Sequence, residues 1–161
     1  MTLLTTLLAT WLLAAPQLAP TPLPKFSGSW ALVPGTGRPA GEVQTKTNTP
    51  IRREASGAFG RTFSITITPD RVTLVRTSAR SKITTTYKVD GSESLNIEGA
   101  TTTISRATWN GPKLTIQTWI AIQNRAVGFP VARALWLEKG QLLIEERATG
   151  SLPVVSKYRR R

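Results

Sequence analysis

The residues best suited to bind a ligand or form an internal ion pair are three arginines, Arg76, Arg106 and Arg133. Each lies an even number of residues from apolar residues in its own strand-like segment, and we say that it shares their parity. Arg76, for example, follows Val72 and Leu74 at steps of two. Because successive side chains of a β-strand point to opposite faces, this spacing places a guanidinium on an apolar face. A buried charge is costly unless it is paired, so an inward arginine needs a carboxylate partner or an anionic ligand head group.

The sequence offers one such carboxylate and leaves other orientations of the arginines open. Glu146 follows Leu142 and Ile144 on an apolar face of its own, so it is a candidate partner inside the fold. Alternatively, the arginines lie near strand ends and reach solvent along their alkyl stems, or a β-bulge reverses their parity.

Side chains suited to catalysis are scarce. The 161 residues include no Cys and no His, which excludes disulfides, thiolate nucleophiles, histidine-based triads and the commonest transition-metal ligands. Both aspartates, Asp70 and Asp90, stand in turn sequences, where carboxylates bind local backbone amides. Glu145 and Glu146 are adjacent and would point to opposite faces of a strand. We therefore expect a non-enzymatic protein without a metal site or a cofactor.

The charge balance points to acidic partners. The chain carries 21 Lys and Arg against 9 Asp and Glu, a net charge of +12. Such a surplus attracts polyanions such as acidic envelope polymers and anionic lipid head groups. No Lys and Arg cluster coincides with a platform of aromatic residues, which argues against nucleic acid as a partner.

The elements that must position the arginines are β-strands. From Phe26 onward, β-branched residues alternate with polar ones, and Gly, Pro, Asn or Asp interrupt them at short intervals. This pattern is typical of successive antiparallel strands, and no helical period separates them. The predicted strands are 29–33, 62–68, 71–77, 82–89, 93–97, 101–109, 113–122, 131–137, 141–148 and 154–158.

These strands predict an all-β fold, an antiparallel up-and-down meander of about 8–10 strands. Such a meander must hide its edges, either by closing as a barrel or by stacking as a β-sandwich, and we expect the barrel. Asp90-Gly91 and Asn110-Gly111 are predicted type I′ turns, because both central residues of that turn need positive φ. A third turn is predicted at Lys139-Gly140, and a long Gly- and Pro-rich connection at 34–60.

The amino-terminal segment has the features of a signal peptide. Residues 3–15 form an uncharged apolar run, shorter than the ~20 residues of a membrane helix and typical of a signal-peptide core. The run lacks a preceding Lys or Arg, so a buried helix or a misassigned start is the alternative. We predict a signal peptide at 1–15, a Pro-rich tether at 16–25 and one barrel domain at 26–161. The protein would be secreted or periplasmic, with no transmembrane segment after removal of the leader.

The segment Phe26-Ser27-Gly28-Ser29-Trp30 enters the first predicted strand. It resembles the Gly-x-Trp motif of lipocalins, and still more the F-S-G-x-W opening of secreted, uncharacterised bacterial proteins. The resemblance implies a lipocalin-like barrel in which Gly28 and Trp30 form a structural motif and the indole packs across the closed end. It also implies a basic residue over that indole, with candidates Arg147, Lys157 and Arg159, and a lid-like loop at 34–60.

Together these features predict an exported binding protein that holds a small apolar or amphipathic anionic ligand in a barrel cavity. Arg76, Arg106 and Arg133 would contact the head group, and Ile116 and Ile120 the apolar tail. The alternative is an envelope-associated protein whose basic exterior binds acidic polymers. An open, apolar-lined cavity would favour the first function, and a filled barrel the second.

The leader hypothesis predicts a shortened amino terminus in protein purified from its native host. Signal peptidase cleaves after small residues, so mass spectrometry should find the mature chain beginning between Ala15 and Pro24. Recovery of intact Met1 from a cytosolic fraction would contradict the hypothesis.

Overall fold

The computed structural model describes residues 25–37, 41–44, 50–53, 57–77 and 81–161. The predicted signal peptide, and all of the predicted tether except Lys25, lie outside the described residues. Within the part of the chain that is described, no helix is long and apolar enough to cross a membrane.

The described elements are twelve β-strands. Their bounds are β1 Gly28–Leu32, β2 Gly41–Gln44, β3 Pro50–Arg53, β4 Thr62–Ile67, β5 Arg71–Thr77, β6 Lys82–Lys88, β7 Asp90–Glu98, β8 Thr101–Asn110, β9 Lys113–Ile122, β10 Arg125–Glu138, β11 Gln141–Arg147 and β12 Val154–Arg160.

Ten of these strands form one antiparallel sheet in the order β6-β5-β4-β1-β12-β11-β10-β9-β8-β7. Each strand lies beside its neighbour in the chain, and the last strand returns to pair with the first. The sheet curls until β6 and β7 meet, which gives a nearly closed barrel. The predicted antiparallel barrel is confirmed, and the sandwich alternative is not formed.

Two regions differ from the predicted strands. Strands β2 and β3 form a separate two-stranded sheet inside the 34–60 connection, where no strand was predicted. Strand β10 begins at Arg125, six residues before the predicted start at Val131. The register shifts between Val127 and Val131, and this bulge, which contains Gly128 and Pro130, interrupts the alternation that a strand prediction relies on.

The predicted turn at Asp90-Gly91 is wrong. Asp90 belongs to β7, where it pairs with Thr108, and the register shifts between Asp90 and Glu93. Only Gly91 of the two residues has positive φ, at 85°. Asp90 instead accepts a hydrogen bond from the Ser92 amide, the local role expected of a turn-type aspartate, but within a β-bulge.

The turn between β8 and β9 lies one residue later than predicted. Asn110 pairs with Lys113, which leaves Gly111 and Pro112 as the turn residues. Gly111 has φ of 56°, but a proline cannot adopt positive φ, so the turn is of type II′ rather than I′. Two other turns have positive φ at both central residues, as type I′ requires: Lys139-Gly140, a predicted turn, and Gln123-Asn124.

Strands β6 and β7 meet through side chains rather than through a β-ladder. The buried Asn96 side chain accepts a hydrogen bond from the Thr86 amide at 2.8 Å and donates one to the Thr86 carbonyl at 3.0 Å. Buried Ser94 accepts a hydrogen bond from the Lys88 amide at 2.8 Å. These bonds satisfy backbone groups at a sheet edge and close the barrel. We call this contact the β6–β7 seam.

The closed end of the barrel is covered by the Trp30 motif. Trp30 is 1% exposed, and its indole N–H donates to the Phe26 carbonyl at 2.9 Å. The Arg160 guanidinium lies 5.2 Å from the indole ring and also donates to the carbonyls of Lys25 and Ser27.

The residue that covers Trp30 is therefore Arg160, and the candidates Arg147, Lys157 and Arg159 were wrong. Strand register explains the choice. Trp30 pairs directly with Arg160, whereas Arg159 pairs with Ala31 and so points to the opposite face. Sequence parity could not supply this answer, because it depends on how β12 aligns with β1.

Replacement of Trp30 tests this closed end. Trp30→Ala should lower the free energy of unfolding by about 3–5 kcal/mol, because it empties a buried aromatic site. Trp30→Phe, which keeps a ring but loses the indole N–H, should cost less. Urea denaturation of both variants measures the difference, and a loss within about 0.5 kcal/mol for the alanine variant would place Trp30 outside the core.

Candidate functional site

The half of the barrel near the closed end is filled with side chains. Leu114, Ile116, Leu135, Leu142 and Ile144 are all fully buried there. Ile116, a predicted contact for a ligand tail, is thus part of the packed core. Ile120, the second predicted tail contact, is 59% exposed at the other end. We call that end the mouth; it carries the turns that follow β7 and β9 and the end of the 34–60 connection.

Residues 57–60, the last part of the 34–60 connection, pack against β12 at the mouth, and we call them the mouth plug. The Tyr158 hydroxyl donates to the Gly60 carbonyl at 3.0 Å and accepts from the Phe59 amide at 3.3 Å. The Ala58 amide donates to the Ser156 hydroxyl at 3.2 Å. A Cβ atom on Gly57 would collide with the Tyr158 hydroxyl, so the plug packs tightly against β12.

Arg133 points into the barrel and has a carboxylate partner. Its Nε and Nη2 atoms lie 2.8 and 2.7 Å from Oε2 of Glu146. The side chains are 17% and 7% exposed, and the guanidinium lies 5.3 Å from the Phe59 ring. This is the partner that the parity of Glu146 offered, and it makes Arg133 part of a fixed internal ion pair.

Arg76 also points inward, but its ion pair is more accessible. Its Nη2 atom lies 2.6 Å from Oε2 of Glu98, and the side chains are 28% and 29% exposed. Glu98 also accepts a hydrogen bond from the Thr85 hydroxyl. The Nε atom of Arg76 is buried and has no hydrogen-bond partner in the described part of the structure. A buried donor without a partner is costly and therefore marks a place where a ligand atom or a water can bind.

Arg106 lies outside the barrel, so its predicted inward orientation was wrong. It pairs with Glu93 at 2.9 Å, both side chains are more than half exposed, and its guanidinium lies 5.9 Å from the Trp119 ring. The error arose from Ile104, which is buried on the outer face between its register partners Leu95 and Trp119. The apolar residue Ile104 therefore did not show that Arg106, two residues later, faces the barrel interior.

Two adjoining spaces open around Arg76. The inner pocket has a volume of about 120 Å³ and is lined by Ala58, Phe59, Arg76, Tyr87, Glu98, Thr103, Thr118 and Arg133. The mouth groove has a volume of about 470 Å³ and is lined by Phe59, Gly60, Arg61, Thr62, Arg76, Thr77, Ser81 and Ile83. Phe59 and Arg76 belong to both.

The inner pocket is polar and small. Its volume equals that of roughly four water molecules, below the ~300 Å³ at which ligand pockets begin. Burial raises the pKa of Tyr87 to about 12, so its hydroxyl stays protonated and neutral. The two arginines are balanced by Glu98 and Glu146, which leaves the pocket without net charge.

The remaining carboxylates do not extend this site. Among the described residues, no group of three acidic side chains lies close enough to hold a metal ion. Hydrogen bonds from Arg71 and Thr68 lower the pKa of Asp70 to about 2, so this carboxylate stabilises its own turn.

The analysis of the sequence missed several residues of the site, among them Glu98 and Phe59. Glu98 follows Ser94 and Asn96 on the inner face of β7. Because this face is polar, the sequence pattern did not identify it as the inner face. Phe59 belongs to a loop, where alternation carries no information.

Comparisons with known proteins agree with the barrel. No protein-family model and no curated protein matches the sequence. Solved structures with a similar fold include the REP1-NXSQ fatty acid transporter, with a TM-score of 0.56, 11% identity and coverage of 84% of this chain and 95% of that one. Lipid binding protein 8 of Caenorhabditis elegans has a TM-score of 0.56 at 15% identity, with the same coverages. Secretory abundant heat soluble protein 4 of Ramazzottius varieornatus has a TM-score of 0.58 at 13% identity, over 90% and 99%. These likenesses establish the fold.

The internal and the external ion pair should differ in their contribution to stability. Glu146→Ala should lower the free energy of unfolding by about 3–5 kcal/mol, because it leaves Arg133 charged, buried and unpaired. The matched variant Glu93→Ala, in the exposed pair with Arg106, should cost less than about 1 kcal/mol. Urea denaturation compares them, and equal losses would mean that burial does not distinguish the two pairs.

Proposed function

We propose that this chain is a binding protein that takes a small amphipathic anion at the mouth of its barrel. The observation that carries the proposal is the position of Arg76 between the inner pocket and the mouth groove, with a buried Nε atom that lacks a partner. A carboxylate or similar head group accepts hydrogen bonds from two guanidinium nitrogens at once. One end of the ligand would therefore bind Arg76.

The head group binds Arg76 rather than Arg133 because the two ion pairs differ in access. Glu146 is 7% exposed, so its carboxylate has little access to solvent. Glu98 is the last residue of β7, beside the turn at 99–100, and it is 29% exposed. Glu98 can therefore rotate into water and leave Arg76 to the ligand, which keeps the charge of the site balanced.

The apolar tail lies in the mouth groove. The inner pocket is too small for a tail, whereas the groove volume of about 470 Å³ falls in the range of ligand sites. Phe59 and Ile83 provide apolar surface along the groove, directly beside Arg76. The tail would thus lie in the open groove under the edge of the mouth plug, outside the filled interior that contains Ile116.

Two further observations support this function. The similar solved structures include proteins named as a fatty acid transporter and a lipid binding protein, and a fatty acid is an amphipathic anion. The apolar run at 3–15 and the resemblance of residues 26–30 to secreted bacterial proteins support action outside the cytoplasm, as a secreted or periplasmic protein.

Titration with decanoate tests the head-group site. Isothermal titration calorimetry should give an affinity that falls about tenfold in Arg76→Gln, since a charged hydrogen-bonding partner is lost. Glu98→Gln should bind decanoate more tightly than the unchanged protein, because it removes the competing internal carboxylate. Decanol, which lacks the charge, should bind all variants alike.

The exterior pair supplies matched controls of the same residue types. Arg106→Gln and Glu93→Gln change the net charge equally but lie outside the barrel, so each should alter decanoate affinity by less than roughly twofold. If Arg76→Gln and Arg106→Gln weaken binding equally and added salt abolishes it, the basic exterior is the binding surface and the mouth site is wrong.

A further inference from the structure

The exposed large apolar side chains are concentrated at the mouth. We call six of them the apolar rim: Ile97, Ile120, Ile122, Val127, Phe129 and Leu152. Phe129 is 79% exposed. Single exposed apolar residues are ordinary, but several at one end of a fold mark a surface that meets an apolar partner.

Strand register brings the rim residues to one end. Glu98 pairs with Thr101 across the turn after β7, and Arg125 pairs with Ile122 across the turn after β9. Thr103 pairs with Ile120, so the two turns lie side by side. Leu152 lies in the loop after β11, at the same end.

The hairpin of β9 and β10 projects from this end. Strand β11 pairs with Ala132–Glu138 of β10, so the first part of β10 extends beyond it with only β9 as a described neighbour. Ile120 and Val127 are directly paired on one face. The bulge after Val127, with Gly128 at φ of 72°, releases Phe129 from the ladder. The projecting tip therefore exposes aliphatic and aromatic side chains at the mouth, where a binding partner can contact them.

The charge of the chain distinguishes between apolar partners. A second copy would bring another +12 to the contact, and like charges oppose association. The bulge and Pro130 also interrupt the free edge of β10 on which a strand of a second copy would have to pair. By contrast, exposed Arg125, Arg147 and Lys82 border the mouth, and cations near an anionic bilayer surface are attracted to it.

We propose that the apolar rim docks on a lipid bilayer that contains anionic head groups. Phe129 and Ile122 enter the interface between head groups and acyl chains, while Arg125 and its basic neighbours contact lipid phosphates. The mouth groove then faces the membrane. This inference rests on exposure, register and charge, and it holds whether or not the groove binds decanoate.

The absence of Cys from the sequence allows a site-specific test. Ala126→Cys places one thiol in the projecting tip without altering the rim, and Glu138→Cys places one at the opposite end of the same strand, β10. Each full-length variant is labelled with a nitrobenzoxadiazole fluorophore and mixed with vesicles of phosphatidylcholine and phosphatidylglycerol at 3:1. We expect a blue shift and about a threefold rise in emission for the label at position 126 and no change at position 138.

Rim variants and vesicle composition complete the test. Added to the Ala126→Cys protein, Phe129→Ser should lower partitioning into these vesicles about tenfold. Pure phosphatidylcholine vesicles should bind the unsubstituted rim more weakly. Circular dichroism checks that the Phe129→Ser variant remains folded, which we expect because Phe129 is exposed.

Three results would overturn the proposal. Sedimentation of the protein with vesicles while the label at position 126 stays unchanged would assign binding to another segment, such as residues 3–15. A change in that label that depends on protein concentration without vesicles would assign the rim to a second copy. Undiminished vesicle binding after Phe129→Ser would leave only nonspecific charge attraction.

Discussion

The barrel depends on the β6–β7 seam. Nine strand pairs of the large sheet form through backbone ladders, but an open sheet of this length would expose two edges with unpaired backbone groups. The Asn96 side chain carries both an acceptor and donors, so it binds the carbonyl and the amide of Thr86 as a neighbouring strand would. Ser94 satisfies Lys88 in the same manner. Closure of the fold therefore rests on polar side chains at the position where the ladder stops.

The seam also determines where the charged site forms. Because Ser94 and Asn96 face inward to reach β6, Glu98 has inward parity as well. On the other side of the seam, β5 pairs with β6, and Arg76 is the last inward-facing residue of β5. The two charged residues therefore meet only because β6 and β7 close. The Arg76–Glu98 ion pair at the mouth is a consequence of the same closure that stabilises the barrel.

The barrel could be predicted from the sequence because each of its ten strands, unlike β2 and β3, could be recognised on its own. Strands β5 and β9 were predicted to the residue, since the inner face of each carries aliphatic residues at successive steps of two, as at Leu114 and Ile116. The failures were of two physical kinds. The local failures came from β-bulges at Asp90 and Gly128, where side chains no longer alternate between the two faces of the strand. The others were non-local: the cover of Trp30 by Arg160 depends on the alignment of β12 with β1.

The same distinction explains why the candidate site was only half predicted. Arg76 and Arg133 were found because apolar neighbours gave their strands a recognisable inner face, whereas Arg106 shared its parity with an isoleucine that is buried on the outside. Glu98 lies among polar inward residues, which resemble a solvated face in sequence. The barrel interior is polar at one end and apolar at the other. Inward residues therefore cannot all be identified by the rule that they alternate with polar ones. Of the inward charged pairs, Arg76 and Glu98 at the polar end keep the most access to water. Hydrophobic alternation revealed the inward orientation of Arg76 but could not reveal that of Glu98, whose inward neighbours are polar.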